Sequence, residues 1–378
     1  MVSISDSAGV AVVRLESLER MTFPVWQSQV VYSTADLDSV LVGPFPQAVF
    51  TDDSSLVLAD AGDLILIGPD GTLVQTLGRR GEGPGEFGQI GRVKLRANDV
   101  LVVSDLGSGR TTVMLSNGMY LRTMARLGRA DYDREIDLVT ALADGRVITT
   151  YWQERPNRGE IQGIKVGDVE RDPVPLVVHD SMGERLGSLG LWLGLERAVV
   201  PLQGERARLP LPHARSVMYA SRRDVTVISP TDSLDLSMYL GTALVVRMIS
   251  PPTGQRRTRE EAEAWRGALR DWNATLGPLV ISALSTAAPD QVMPSIGPLY
   301  VDNQRNVWIG DYAAPGDSLR SWRVVSTTGI PIGIVELPAV IDPIVASRSE
   351  ILDVYGGLLA LLVYHDGEPV VEVRRIGP

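Results

Sequence analysis

Ser55 to Leu77 reads SLVLADAGDLILIGPDGTLVQTL, three apolar runs cut by turn signals. Ser55–Asp60 and Asp63–Ile67 are strand-sized, Gly68-Pro69-Asp70-Gly71 follows, and Leu73–Leu77 returns as a third strand. Pro presets φ and Gly accepts a positive φ, so Pro-Asp-Gly between apolar runs is a turn. Links this short predict an antiparallel meander.

The pattern recurs along the chain. Leu101–Asp105 (LVVSD) repeats Leu56–Asp60 (LVLAD) at an offset of 45, and Asn117-Gly118 repeats Asp70-Gly71 at an offset of 47. Tyr120–Thr123 then matches Leu73–Thr76, and a third copy of the turn is expected at Ala143-Asp144-Gly145. A late copy runs from Leu299 to Asp311, then Trp322–Val325, the turn Thr328-Gly329 and Ile332–Leu337. Several strands per unit of about 45 residues is the signature of propeller blades. The expectation is an all-β chain, a six-bladed β-propeller (five or seven blades being the alternatives) forming one domain over residues 1–378, with residues 183–214 falling in the fourth blade.

Thr258–Ala274 (TREEAEAWRGALRDWNA) is the exception. Thr258 and Glu261 have capping-box spacing, and Ala262, Trp265, Leu269 and Trp272 recur on one helical face. A helical insertion near residues 256–292 is predicted, an irregular stretch or second short helix in its apolar continuation, and the tryptophans docking it onto the propeller or, as the alternative, lining a partner surface. Residues 1–43 are read as an N-terminal segment with a ring-closing strand near Gly9–Leu15 that pairs with the C-terminal strands Leu358–Tyr364 and Pro369–Ile376.

Composition narrows the function classes. The 378 residues carry a net charge of −10, which argues against nucleic acid as a partner. All but two of the 36 basic residues are arginine, the exceptions being Lys94 and Lys165. The absence of cysteine excludes disulfides, thiol nucleophiles and Cys-ligated metals. No run approaches the ~18 apolar residues of a membrane helix, and no signal peptide is visible at Met1-Val2-Ser3.

Leu77–Phe87 (LGRRGEGPGEF) resembles the glycine-rich inter-blade turn of NHL-type propellers. With Asp6–Val10, the late helical insertion, the Leu299–Tyr312 strand pair and Pro315-Gly316-Asp317, the chain resembles a bacterial group of six-bladed propellers, many exported or lipid-anchored. The resemblance implies the fold and a periplasmic or cell-surface location, a cytoplasmic one being the alternative, and brings no general activity with it.

Several residues invite chemistry. Gly78–Gly85 lacks the Gly-Lys-Ser/Thr of a phosphate loop and is followed by a strand, so it is read as a blade crossover. Asp60, Asp105 and Asp311 each close a blade strand; together they could ring the axis and hold calcium or another divalent metal, although an Asp in that place commonly caps its own turn. Arg110, His213 and Tyr312 stand beside them as candidate binding residues. His213 is the histidine expected to face a pocket, His179 is placed in a polar loop and His365 in an exposed hairpin. The charged loop Arg126–Asp137 is a candidate rim.

No cofactor is called for, and no catalytic constellation is visible. The expected function is a non-catalytic binding or scaffold propeller of the bacterial cell envelope that takes a protein, peptide or glycan on one face. The alternative is a metal-dependent lactonase or esterase with its site in the central channel.

Overall fold

The structure, a computed structural model, describes residues 2–37, 40–124, 127, 136–151, 165–202, 205–252, 258–284, 292–314, 317–339 and 350–378. The chain opens with strands β1 (Val2–Ser7), β2 (Val10–Leu15) and β3 (Gln27–Ser33). Sheet I follows, built from β4 (Gln47–Phe50), β5 (Leu56–Asp60), β6 (Asp63–Ile67), β7 (Leu73–Arg80) and the short β8 (Glu86–Phe87). Sheet II contains β9 (Ile90–Arg96), β10 (Val100–Asp105), β11 (Arg110–Leu115) and β12 (Tyr120–Met124). Sheet III contains β13 (Ile136–Ala141), β14 (Val147–Tyr151), β15 (Val169–His179), β16 (Arg185–Leu202) and β17 (Glu205–Pro210).

Sheet IV contains β18 (Val217–Arg222), β19 (Val225–Pro230), β20 (Leu234–Leu240) and β21 (Ala243–Ser250). Helices α1 (Arg259–Trp272) and α2 (Leu276–Leu284) precede sheet V, which contains β22 (Leu299–Val301), β23 (Val307–Gly310), β24 (Leu319–Val325) and β25 (Pro331–Pro338). Sheet VI contains β26 (Ile351–Tyr355), β27 (Leu358–His365) and β28 (Glu368–Gly377).

Six apolar clusters join these sheets, one at each junction from I/II round to VI/I. Each sheet therefore buries both faces against its neighbours. That explains why the second strands read as unbroken apolar runs: β10 (VLVVSD) is buried at every position. The fourth strands lie far from the axis, with β8, β17 and the pair β2–β1 beyond them in sheets I, III and IV, and β7 is exposed over its first four residues. First strands of successive sheets are neighbours, β26 beside β4, β4 beside β9, β9 beside β13, β13 beside β18 and β18 beside β22, so they surround a common axis.

Three expectations need correcting. The Gly9–Leu15 strand does not meet the C-terminus: β2 pairs in parallel with β21, with Ala11 opposite Val246, while its alternate Val13 and Leu15 enter the IV/V cluster. The strand that joins the chain ends is β3, antiparallel to β28 from Ser33 opposite Glu372 to Gln27 opposite Gly377. The turn at Gly145 links the first and second strands of its sheet, whereas Gly71, Gly118 and Gly329 link the third and fourth, so it is no copy of theirs. Residues 183–214 belong to sheet III, because β16 continues 18 residues and folds back on itself through β17.

Candidate functional site

The first strands carry the polar side chains nearest the axis. In β9 the sequence IGRVKLR alternates: Val93 and Leu95 enter the I/II cluster, which turns Arg92, Lys94 and Arg96 to the other face. Arg92 forms a two-pronged ion pair with Asp137 of β13, Nε to Oδ1 at 2.8 Å and Nη2 to Oδ2 at 3.0 Å. The Tyr219 hydroxyl of β18 donates to the same Oδ2 at 2.8 Å. This layer is reachable by solvent, with the Arg92 side chain 38% exposed and that of Asp137 17%.

Nearer the strand ends lies a closed layer. Arg222, the last residue of β18, pairs through Nη1 with Asp353 of β26, and its Nη2 donates to the Phe50 carbonyl of β4 at 3.3 Å. Asp353 also accepts from the Phe50 N–H at 2.6 Å and the Tyr300 hydroxyl at 2.8 Å. The Tyr355 ring lies 4.9 Å from the guanidinium carbon, a cation–π contact. Side-chain exposure falls to 5% at Arg222 and 2% at Asp353. Sheets I and IV are separated in the chain by two sheets, so Arg222 reaches between first strands of non-adjacent sheets, and its contacts here are buried from solvent. Burial and the Asp353 charge push the Tyr300 hydroxyl well above its ordinary value, and it stays a neutral donor.

Lys94 is the remaining cation. It is half-buried, and no hydrogen bond or ion pair joins its ammonium to any described residue. Burial, with the neighbouring Arg92 charge, pushes its pKa down to about 8 against the pull of Asp137 and Asp353.

The residues proposed from sequence fall elsewhere. Asp60, Asp105 and Asp311 close second strands or directly follow one, a strand's width out from the axis. Asp60 Oδ2 accepts from the Gly43 N–H at 2.7 Å. Asp105 is buried and accepts from the N–H groups of Gly88, Gln89, Gly107 and Ser108 and from the Ser108 hydroxyl at 2.6 Å. Burial pushes its carboxyl up, but these donors outweigh it and hold the pKa below the ordinary 3.8. Asp311 pairs with Arg323, and burial raises its carboxyl. The three do not converge, and among the described residues no three His, Asp or Glu side chains are grouped to hold a metal ion. Asp60 and Asp105 are thus held by backbone N–H groups and Asp311 by an arginine.

Arg110 reaches the Glu82 carbonyl at 2.9 Å and the Ser108 hydroxyl at 3.0 Å, tying the glycine-rich crossover to sheet II. Arg79 pairs with Glu86 inside that crossover. His213 and Tyr312 do meet, Nδ1 to Oη at 2.5 Å with the rings edge-on. Burial and the Glu261 charge raise the Tyr312 hydroxyl. His179, expected in a polar loop, instead ends β15, buried against the Thr149 hydroxyl at 3.0 Å, and burial lowers its pKa. His365 is half-exposed beside Glu372. Of the loop Arg126–Asp137, only Leu127, Ile136 and Asp137 lie within the described residues; of Pro315-Gly316-Asp317, only Asp317 does.

The face where the first strands begin also carries the helices. Thr258 and Glu261 form the expected reciprocal cap, at 3.1 and 2.6 Å. Trp265 and Leu269 of α1 and Leu284 of α2 pack on Ala198, Val200 and Leu211 at the extended β16–β17 hairpin. Trp265 therefore docks the helices, as its spacing predicts; the Trp272 side chain lies outside the described residues.

Sequence comparison finds no matching family model and no matching curated protein. Structure comparison does find likenesses. A protein of Bacteroides fragilis assigned as exported is 12% identical at a TM-score of 0.51, over 97% of this chain and 100% of that one. A member of the DUF4221 family from Bacteroides vulgatus is 10% identical at a TM-score of 0.51, over 94% of this chain and 98% of that one. The fold is β-propeller-like. At these identities the likeness is one of fold, and the channel must be read from its own side chains. Sequence reasoning passed over Arg92, Lys94, Arg222, Tyr300 and Asp353, and reached Asp137 only as the end of the candidate rim Arg126–Asp137. The available signal was a charge alternating with buried aliphatics in short strands, as in GRVKLR.

Proposed function

We propose that the protein is a non-catalytic binding propeller of the bacterial cell envelope, six-bladed and a single domain over residues 1–378, with residues 256–292 as a helical insertion. Its partner, a protein, peptide or glycan and not nucleic acid, docks on the face where the first strands begin. One observation carries this reading: both described carboxylates facing the axis are already spent. Asp137 accepts from Arg92 and Tyr219, and Asp353 from Arg222, Tyr300 and the Phe50 N–H. A channel metal would have to displace an arginine from a carboxylate, a poor arrangement for the oxygen-rich coordination that Lewis-acid hydrolysis needs. The six junction clusters support the blade count, and the likeness to a protein assigned as exported supports the location. No described helix is long and apolar enough to cross a membrane.

A thermal melt tests the reading: protein stripped with EDTA, then supplied with calcium, magnesium, manganese or zinc, beside a panel of lactones and esters. Binding to the folded state alone raises the midpoint. The expected result is an unchanged midpoint and no metal-dependent turnover. A rise with one metal, reversed by EDTA and accompanied by turnover, would replace this reading with the metal-dependent hydrolase.

A further inference from the structure

We propose that Lys94 is the recognition point of an oxyanion site in the open part of the channel, where its ammonium takes a carboxylate or phosphate group of the bound ligand. The inference rests on the binding reading above and names the chemistry that the site recognises.

Charge and geometry both lead there. Arg92, Lys94 and Arg222 stand with two carboxylates, Asp137 and Asp353, while Arg96, next on the same face of β9, lies among Arg122, Asp144 and Asp224. Each carboxylate is held by an arginine, so Lys94 feels both charges at a distance but forms an ion pair with neither. The position is neither sealed nor fully wet: Lys94 keeps partial exposure, the Arg92–Asp137 pair beside it meets solvent, and the Arg222–Asp353 layer behind it is buried from solvent. An anion entering from the strand-start face would meet the ammonium before the closed layer. In a partly desolvated well such a contact is stronger than on an open surface.

The residue choice carries the same message. This chain uses arginine almost everywhere, yet places one of its two lysines here. Lysine is a compact point charge that can meet one oxyanion without the planar fork of arginine. Its charge also opposes folding. The folded pKa lies near 8 and the ordinary value is 10.5, so the unfolded chain binds the proton more tightly and stability rises as pH climbs from about 8 toward 10.5. A methionine of similar length would occupy the strand without that cost. A charge kept against stability is the pattern of a functional site.

The test uses full-length protein with glutarate and inorganic phosphate as probes, each against sodium chloride at equal ionic strength. Binding is read by calorimetric titration and by the melting midpoint, in the parent and in Lys94→Met, Lys94→Arg and Lys165→Met. The expected result is binding of at least one probe, weakened about tenfold or more in Lys94→Met, weakened less in Lys94→Arg, which keeps the charge but not the compact head, and kept in Lys165→Met. Lys94→Met should melt higher than the parent at pH 7 without probe, a gain that a merely structural lysine would not give. Glutarate alone would mark a carboxylate ligand, and phosphate alone a phosphorylated one. Equal binding in Lys94→Met, or no binding by the parent, overturns the site. Metal-dependent turnover with Lys94-dependent anion binding would keep the site and remove the non-catalytic reading. No anion binding in a metal-insensitive protein would do the reverse.

Discussion

The Arg222 guanidinium, on the first strand of sheet IV, reaches the Phe50 carbonyl on the first strand of sheet I at 3.3 Å while pairing with Asp353 of sheet VI. One side chain thus fastens three sheets across the channel. Because the pair is almost fully buried, its value to stability is asymmetric. Two charges have been desolvated together, and removing one strands the other.

Arg222→Met should therefore cost about 3–5 kcal/mol, measured by denaturant unfolding of the full chain. Arg222→Met with Asp353→Asn should cost less than the sum of the single changes, because the amide oxygen can still accept from the Phe50 N–H and no lone charge is left. Additive losses would show that the two groups do not act as a pair.

Asp105 should govern part of the acid limb of stability. Its folded pKa lies below the ordinary 3.8, so its contribution is complete above that value and is lost as pH falls through the folded pKa. Asp105→Ala leaves the N–H groups of Gly88, Gln89, Gly107 and Ser108 without this acceptor and should cost roughly 1–3 kcal/mol at pH 7. Asp105→Asn should flatten the decline in melting temperature below pH 4; an unchanged decline would remove Asp105 as its source.

Truncation separates the two roles of the N-terminal segment. Deleting residues 1–16 removes β1 and β2 with the buried Val13 and Leu15, and should lower the melting temperature while the sheets still form. Deleting residues 1–33 also removes β3, the outer partner of β28, and should prevent cooperative folding. Equal melting of the two truncated chains would contradict this division.

Trp265 lies in the cluster that holds the helices to the β16–β17 hairpin, apart from the six junction clusters. Trp265→Ala should weaken that docking by about 3–5 kcal/mol. Hydrogen exchange should then speed up across Arg259–Trp272, while amides of β27 keep their protection. Loss of protection in β27 would place the helices within the main cooperative unit.

Sequence by itself determined the local elements. Leu56–Asp60 and Leu101–Asp105 become equivalent second strands, and Gly71, Gly118 and Gly329 all adopt the positive φ that a tight turn needs. Thr258 and Glu261 cap their helix as their spacing predicts. Period-two alternation, turn chemistry and capping act within a few residues, so they can be read along the chain. The candidate channel was different. Asp60, Asp105 and Asp311 repeat because each stands at the end of a second strand of its own sheet, and repetition of architecture looks the same in sequence as repetition of function. Arg92 meets Asp137 across 45 residues, and Arg222 meets Asp353 across 131. Such partners are chosen by which first strands surround one axis, and that depends on how the sheets close into a ring. The same arrangement leaves Lys94 without an ion pair among the described residues, a feature no local pattern records.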